Sequence, residues 1–374
     1  MRPDDRRRTT DIRPEKKEDE RQIADVSPEK KESVRKIRRG ALTPFRLDPN
    51  FPPIRSRLPL CLTYLPRLGS LPFANVYSFN ALTTLSIEAF GISNDETLFI
   101  IGNPPYNDTT SIIRNGTKKL LFDIDPGIQS RDLSISFLLS YQRLQADYVC
   151  VLHPLSYLIK KTNFFAMRQF ADSYRLIDSL IISSGVFSET SKFMQFPIII
   201  ALYQKHLFGM DYGYVQSYRF STAENKRFSM DQLDFIGNYI SKYPSKNNVV
   251  SGADTLMFYT MRDLNALKRN RTFLDKYETN AIIVRSEKLD YYVYVDVVKE
   301  FSRAFPYYFG NFDVLINKNI FLLYRDYFIS NALSRHPFLQ KYYPCFNVVD
   351  NSDQKIIEYF RLLLGEHYVE NADN

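Results

Sequence analysis

The sequence predicts an α/β protein with a sheet domain over residues 41–207, an α+β domain over 208–374 and a disordered charged tail over 1–40. Three observations predict it. Strand-type apolar runs alternate with helix-period segments between residues 97 and 205. That alternation stops after residue 207, where tyrosine- and arginine-rich stretches take over. Residues 1–40 hold no Phe, Tyr, Leu or Trp, so they lack the apolar surface that offsets chain entropy.

The tail alternates Arg/Lys with Asp/Glu, repeats "PEKKE" at 14–18 and 28–32, and ends in the basic "RKIRR" at 35–39. The proline-rich stretch that follows, to about residue 75, reads as an irregular lead-in. "ANVYSFNAL" (74–82) has strand character and "TTLSIEAFG" suits a helix. "TLFIIG" (97–102) is a strand. "DLSISFLLSYQRLQA" (132–146) spaces apolar residues at helical intervals, with Asp132 suited to the N-cap. "DYVCVLHP" (147–154) is a strand, "NFFAMRQFADSY" (163–174) a helix, and "RLIDSLIIS" (175–183) and "QFPIIIALYQK" (195–205) are strands. Such alternation argues a sheet with both faces covered. In the C-terminal domain "AIIVRS", "YYVYVDVV" and "NIFLLY" read as β-like runs, and "DQKIIEYFRLLLGEH" reads as a helix.

Length and composition bound the function. A chain of 374 residues accommodates about two domains, and 44% hydrophobic residues is ordinary for a globular protein. The longest apolar run, "FPIIIALY" at 196–203, is strand-sized, far from the ~18 residues of a membrane span. A charged N-terminus without a signal-type apolar stretch predicts a cytoplasmic protein. Cys61, Cys150 and Cys345 lack metal-ligand spacing, so no metal site is expected. The net charge of +7, with 29 Phe and 26 Tyr, suits a nucleic-acid partner, because cations meet phosphates and rings stack on bases. No P-D…(D/E)-x-K arrangement flanked by strands argues for a nuclease.

The chemistry concentrates in one turn, Asn103-Pro104-Pro105-Tyr106, at the end of the 97–102 strand. Open α/β sheets place their sites at the C-terminal ends of strands. The Asn103 side chain offers an acceptor oxygen to an amino group. Pro104 and Pro105 remove competing donors and fix the backbone, so nearby carbonyls are held still. Two acceptors aimed at one exocyclic amine leave its nitrogen lone pair available for alkylation. The Tyr106 ring is a face for a flipped-out base, worth ~1–3 kcal/mol of stacking.

On these residues the chain resembles the DNA N6-adenine methyltransferases of type II restriction–modification systems, in the subclass whose catalytic domain precedes its target-recognition domain. The resemblance extends over roughly residues 74–205. Asn103-Pro104-Pro105-Tyr106 matches the family's catalytic motif, "RDLSISFLLS" resembles the following helix, and "DYVCVLHPLSYL" resembles the next strand. "SGVFSETSKFMQFPIIIALYQK" (184–205) resembles a late motif, a Phe-containing loop leading into an antiparallel strand. The resemblance implies a Rossmann-like methyltransferase sheet, S-adenosyl-L-methionine as cofactor, and double-stranded DNA as partner with residues 208–374 as its reader. It puts Phe187 in the place of the second aromatic on the target adenine, with Phe193 or Phe196 as alternatives. "VYSFNAL" resembles the motif whose polar residue contacts the cofactor's adenine, which places Asn80, Leu82 and Asn103 at the cofactor.

One departure stands out. The family binds its cofactor through a Phe-x-Gly-x-Gly turn, yet no Gly-x-Gly occurs anywhere in this chain. Three expectations follow: a truncated or frameshifted product, a second polypeptide that supplies the cofactor half, or a non-catalytic DNA-binding remnant. The compositional break near residue 40 favours the first.

Overall fold

The computed structural model describes residues 42–43, 80–83, 86–93, 95–105, 123–187, 195–245, 255–274 and 276–370. The expectations for residues 1–40, for Tyr106 and for Phe193 lie outside that set. The fold is mixed α/β, built on a mixed sheet that does not close into a barrel.

The sheet holds β1 (Leu42–Thr43), β2 (Phe99–Gly102), β3 (Tyr148–Pro154), β4 (Tyr174–Ser183) and β5 (Pro197–Lys205), in the order β1-β2-β3-β5-β4. β2 and β3 run parallel, from Phe99 opposite Tyr148 to Gly102 opposite Val151. β5 is antiparallel to both its neighbours, β3 and β4, so β2, β3 and β4 share one direction. Their C-terminal ends and the start of β5 therefore lie along one edge of the sheet. The leading two-residue strand β1 falls inside the stretch read as irregular and pairs antiparallel with Ile101 and Gly102.

Helix α1 (Leu133–Arg143) connects β2 to β3. It starts where the sequence places its cap, because the Asp132 carboxylate accepts a hydrogen bond from the Ser134 N–H at 3.0 Å. A short helix α2 (Ser156–Ile159) comes first, and the helix expected at 163–174 is instead two short pieces, α3 (Lys161–Ala166) and α4 (Arg168–Ala171). A non-helical Met167 breaks the run, and Tyr174 already belongs to β4. The strand expected at 74–82 is a turn where it is described. Asn80 causes it: its Oδ1 accepts from the Leu82 N–H at 3.1 Å and its carbonyl from the Thr83 N–H at 3.1 Å. The following helix-type segment reduces to one 3-10 turn, Glu88–Phe90, ended by Gly91 with φ +66°.

Beyond β5, helix α5 (Tyr212–Ser217) leads to a short hairpin, β6 (Phe220–Ser221) and β7 (Arg227–Phe228). A three-stranded sheet then joins β8 (Met257–Tyr259), β9 (Phe273–Leu274) and β10 (Ala281–Ile283) in the order β10-β8-β9, with α6 (Leu264–Arg269) between β8 and β9. Three longer helices complete the fold: α7 (Leu289–Glu300), α8 (Lys318–Arg335) and α9 (Ser352–Leu364).

Two of these helices overturn sequence expectations. "YYVYVDVV" and "NIFLLY" read as strands but lie in α7 and α8. Residues 292–298 are buried without a break, so their apolar run has no period to distinguish helix from strand. Packing decides the outcome. Tyr294 meets Phe321 and Phe328 with ring centroids 5.0 and 5.2 Å away, and Phe328 meets Tyr359 of α9 at 5.1 Å. That three-helix aromatic core outweighs the β-propensity of valine and tyrosine. Asn317 starts α8 by capping the Ile320 N–H at 3.1 Å. The α7–α8 pair is also pinned by Asp296, whose Oδ1 accepts from His336 Nε2 at 3.1 Å and from the Thr272 hydroxyl at 2.5 Å. Its Oδ2 faces the Arg335 guanidinium at 2.6 Å but off the angle of a hydrogen bond, so that contact is ion pairing. Burial raises the Asp296 carboxyl pKa, but His336 and Arg335 outweigh it and hold the group below the usual carboxylate range.

Among the described residues, no helix is long and apolar enough to cross a membrane.

Gly102, the last residue of β2, is required by close approach. A Cβ there would stand 2.7 Å from the Tyr141 hydroxyl oxygen and 3.2 Å from the ring carbon that bears it. Tyr141 is buried in α1, so shifting its ring to make room would disturb the packing around it. Gly102→Ala should therefore destabilise the protein by about 1–3 kcal/mol in urea unfolding. Adding Tyr141→Phe should recover part of that loss, and no recovery would place the strain elsewhere.

Candidate functional site at the C-terminal edge of the sheet

The Asn103-Pro104-Pro105 turn leaves β2 at the shared C-terminal edge, with Asn103 exposed, Pro104 buried and Pro105 half-buried. Burial of Pro104 anchors the turn in the core while the amide stands at the surface. The register makes Asn103 level with Leu152 of β3, two residues or about 7 Å along the strand from its end at Pro154.

That end of β3 is rigid. His153 is fully buried and stacks between Tyr157 and Tyr203, with centroids 5.3 and 6.0 Å away. Its Nδ1 lies 3.0 Å from the Pro154 carbonyl, which can only accept, so Nδ1 carries the proton. Its Nε2 then accepts from the Tyr203 hydroxyl at 2.7 Å. Tyr157 donates its hydroxyl to the Asp132 carboxylate at 2.5 Å, joining the end of β3 to the cap of α1.

A cleft of about 1300 Å³ opens beside this edge, with Pro154, Tyr157 and Phe196 on the sheet side. Its far wall comes from the C-terminal segment and includes Lys242, Tyr243, Arg262, Asp263 and Arg269. Six cations (Arg131, Lys160, Lys161, Lys242, Arg262, Arg269) line it against three carboxylates (Asp132, Asp263, Asp313), so its field is positive. Lys160 and Asp263 bridge the two walls at 2.6 Å across 103 residues of sequence. Burial lowers the Lys160 ammonium pKa, against the opposing pull of Asp263. Lys242 pairs with Asp313 at 2.8 Å, and Tyr243 stands 56% exposed.

The predicted site residues divide. Ser140 of α1 bonds the Ala81 carbonyl while Tyr141 abuts Gly102, so the Asn80 and Asn103 turns rest on neighbouring residues of one helix. The Asn80 amide is engaged on both sides, with Nδ2 donating to the Asp123 carbonyl at 2.9 Å and Oδ1 accepting from Leu82. The Leu82 side chain is buried in the core. Phe187 is half-buried at the end of a 3-10 turn, Ser184–Val186. Phe196, the expected alternative to it, lines the cleft and is tied to that turn by its N–H, which donates to Ser184 Oγ at 2.9 Å.

Sequence reasoning missed the bridge and the exposed cations of the far wall. "TMRDLNALKRNRTF" was visible as an arginine-rich stretch, but nothing local pairs Asp263 with Lys160. Among the described residues no group of three or more His, Cys, Asp and Glu is arranged to hold a metal.

His153 supplies a pH test. Burial pulls its pKa down to about 4 from the ordinary 6.5, so the folded protein resists protonating it while the unfolded chain does not. Its contribution is complete above about pH 6.5 and is lost as pH falls toward 4. Half-buried His367, also lowered by burial, acts in the same direction. Urea midpoints should drop between pH 7 and 5, and His153→Gln should flatten that slope while lowering stability at pH 7. An unchanged slope would mean that His153 is protonated in the fold.

Comparison with protein-family models and with curated proteins found no match for this chain.

Proposed function

We propose that this chain is the amine-orienting and DNA-reading part of an adenine-specific DNA methyltransferase of a restriction–modification system, acting on adenine N6. The observation that carries the reading is the exposed Asn103 amide on a buried proline at the end of β2. The reversed β5 between β3 and β4 supports a Rossmann-like methyltransferase sheet, since it agrees with the antiparallel strand implied by the resemblance. The positive cleft at the same C-terminal edge of the sheet, lined by Pro154 and Phe196 rather than by the turn itself, supports duplex DNA as the substrate.

The residues described do not fit S-adenosylmethionine. Asn80 directs its amide to the Leu82 N–H and the Asp123 carbonyl, Leu82 is core, and the chain has no Gly-x-Gly for backbone to approach the cofactor. A second polypeptide is therefore part of the proposal, holding the methyl donor while this chain holds the base. Asn103 Oδ1 and the neighbouring proline carbonyl accept the amine hydrogens, and Tyr106, with Phe196 or Phe187, flanks the base. A second reading, a DNA-binding subunit without catalysis, is favoured by the same missing turn.

Asn103→Ala in the active assembly should reduce N6 methylation at least about 100-fold, a loss of the size seen when one aimed acceptor or donor is removed, with DNA affinity intact. Methylation near the wild-type rate would remove Asn103 from the chemistry. An assembly that binds DNA but never methylates it would favour the second reading. Calorimetry of the isolated chain with S-adenosylmethionine should show no tight binding. Micromolar binding would mean that residues 41–73 build a cofactor pocket, and the two-polypeptide proposal would fall.

A further inference from the structure

Arg262 occupies an unusual position in the cleft wall. Its Nε donates to Asp263 Oδ2 at 3.1 Å, yet its side chain is 64% exposed. Its terminal nitrogens have no carboxylate partner among the described residues. Asp263 is itself only 4% exposed and is fixed three ways: it caps α6 through the Ala266 N–H at 2.8 Å, pairs with Lys160 at 2.6 Å, and holds Arg262. A guanidinium gripped at Nε keeps its two outer –NH₂ groups in a fixed fork, the geometry that matches two oxygens of one phosphate.

We infer that Arg262, aimed by the buried Asp263, is a phosphodiester clamp for duplex DNA in this cleft. The choice of duplex DNA rests on the functional reading above. Arg269 and Lys161 are the nearby cleft cations without a carboxylate partner among the described residues, and they extend the contact along the backbone. Lys160 differs from all three: its charge is spent on Asp263 at 2.6 Å, so it stiffens the floor rather than meeting ligand. Asp263 is a positioning residue. It carries the charge opposite to the one a polyanion seeks, and its value lies in the direction it gives to Arg262.

This division makes an unusual forecast. In a cleft that attracted DNA only by its net field, Asp263→Asn would tighten binding, because it adds one positive charge. A clamp aimed by Asp263 loses its aim instead, and binding weakens. Asparagine still caps a helix, so α6 survives the change.

The test is fluorescence anisotropy of the full-length chain with a labelled duplex of about 20 base pairs over a salt series. Arg262→Gln should weaken binding about tenfold, as expected for a lost charge-assisted contact. The slope of log affinity against log salt should shrink by about one. Arg262→Lys should restore the slope but not the full affinity, and Asp263→Asn should bind more weakly than wild type. Lys160→Gln removes the same charge as Arg262→Gln yet should cost less, which keeps the inference testable if Asp263→Asn misfolds. Tighter binding by Asp263→Asn, an unchanged slope in Arg262→Gln, equal losses for Lys160→Gln and Arg262→Gln, or no duplex binding by wild type at low salt would each overturn the clamp. Loss of methylation in Asn103→Ala should leave these isotherms unchanged. A chain that clamps duplex DNA but supports no methylation in any assembly would refute the methyl-transfer reading alone.

Discussion

The nine residues of β5 hold the molecule together at its working edge. They run opposite to both neighbours and bond along β3 on one side and β4 on the other. Because side chains alternate along a strand, a slip of one residue would turn Ile199, Ala201 and Tyr203 out of the core. Tyr203 is the first link of a chain of contacts. Its hydroxyl fixes His153, His153 stacks on Tyr157, and Tyr157 bonds the Asp132 cap of α1. Tyr141, two turns along that helix, fills the space beside Gly102, where the Asn-Pro-Pro turn begins. The Asn-Pro-Pro turn is thus held in place by a strand two positions away in the sheet.

How much of this the sequence reveals depends on how local the cause is. Asp132 as a cap and the strand character of β2 and β5 are readable because each rests on a few adjacent residues, whereas the antiparallel direction of β5 is implied only by the resemblance. The helices α7 and α8 are not readable in that way. Residues 292–298 of α7 are buried throughout and show no amphipathic period, "NIFLLY" of α8 exposes Leu322 and Leu323 and so mimics no helix face, and the rings that choose helix come from three separate elements. The same limit hides the cleft. Its walls are 103 residues apart at the Lys160–Asp263 bridge, and no spacing rule connects them. Asn80 shows a nonlocal cause again: its Oδ1 closes the local turn, but its Nδ2 bond to the Asp123 carbonyl spans 43 residues that no spacing rule connects.

Buried ion pairs often contribute little net stability, since desolvating two charges offsets most of their attraction. The lowered Lys160 pKa expresses that cost in this cleft. The better explanation for a buried carboxylate with two cationic partners is geometric. Asp263 sets the separation of the cleft walls, the start of α6 and the attitude of Arg262 at once. Replacing Asp263 alone by an apolar residue would strand the Lys160 ammonium and uncap α6, so the fold would lose stability together with the shape of the cleft.

The division of polar groups across the edge of the sheet is the last constraint. Alkylation of an exocyclic amine needs acceptors for the amine hydrogens and a separate set of donors and close backbone for the methyl donor. On the proposed reading, Asn103 and the prolines provide the first set with no charge of their own, so the turn raises no electrostatic barrier to a polyanion approaching the positive cleft. The second set requires glycines, because a Cβ keeps the backbone too far from a ligand. The 13 glycines of this chain are never spaced as Gly-x-Gly, and Gly102 is committed to packing against Tyr141. On the proposed reading the base and the methyl donor are therefore held by different polypeptides, and the reaction geometry is set where the two meet rather than within either one.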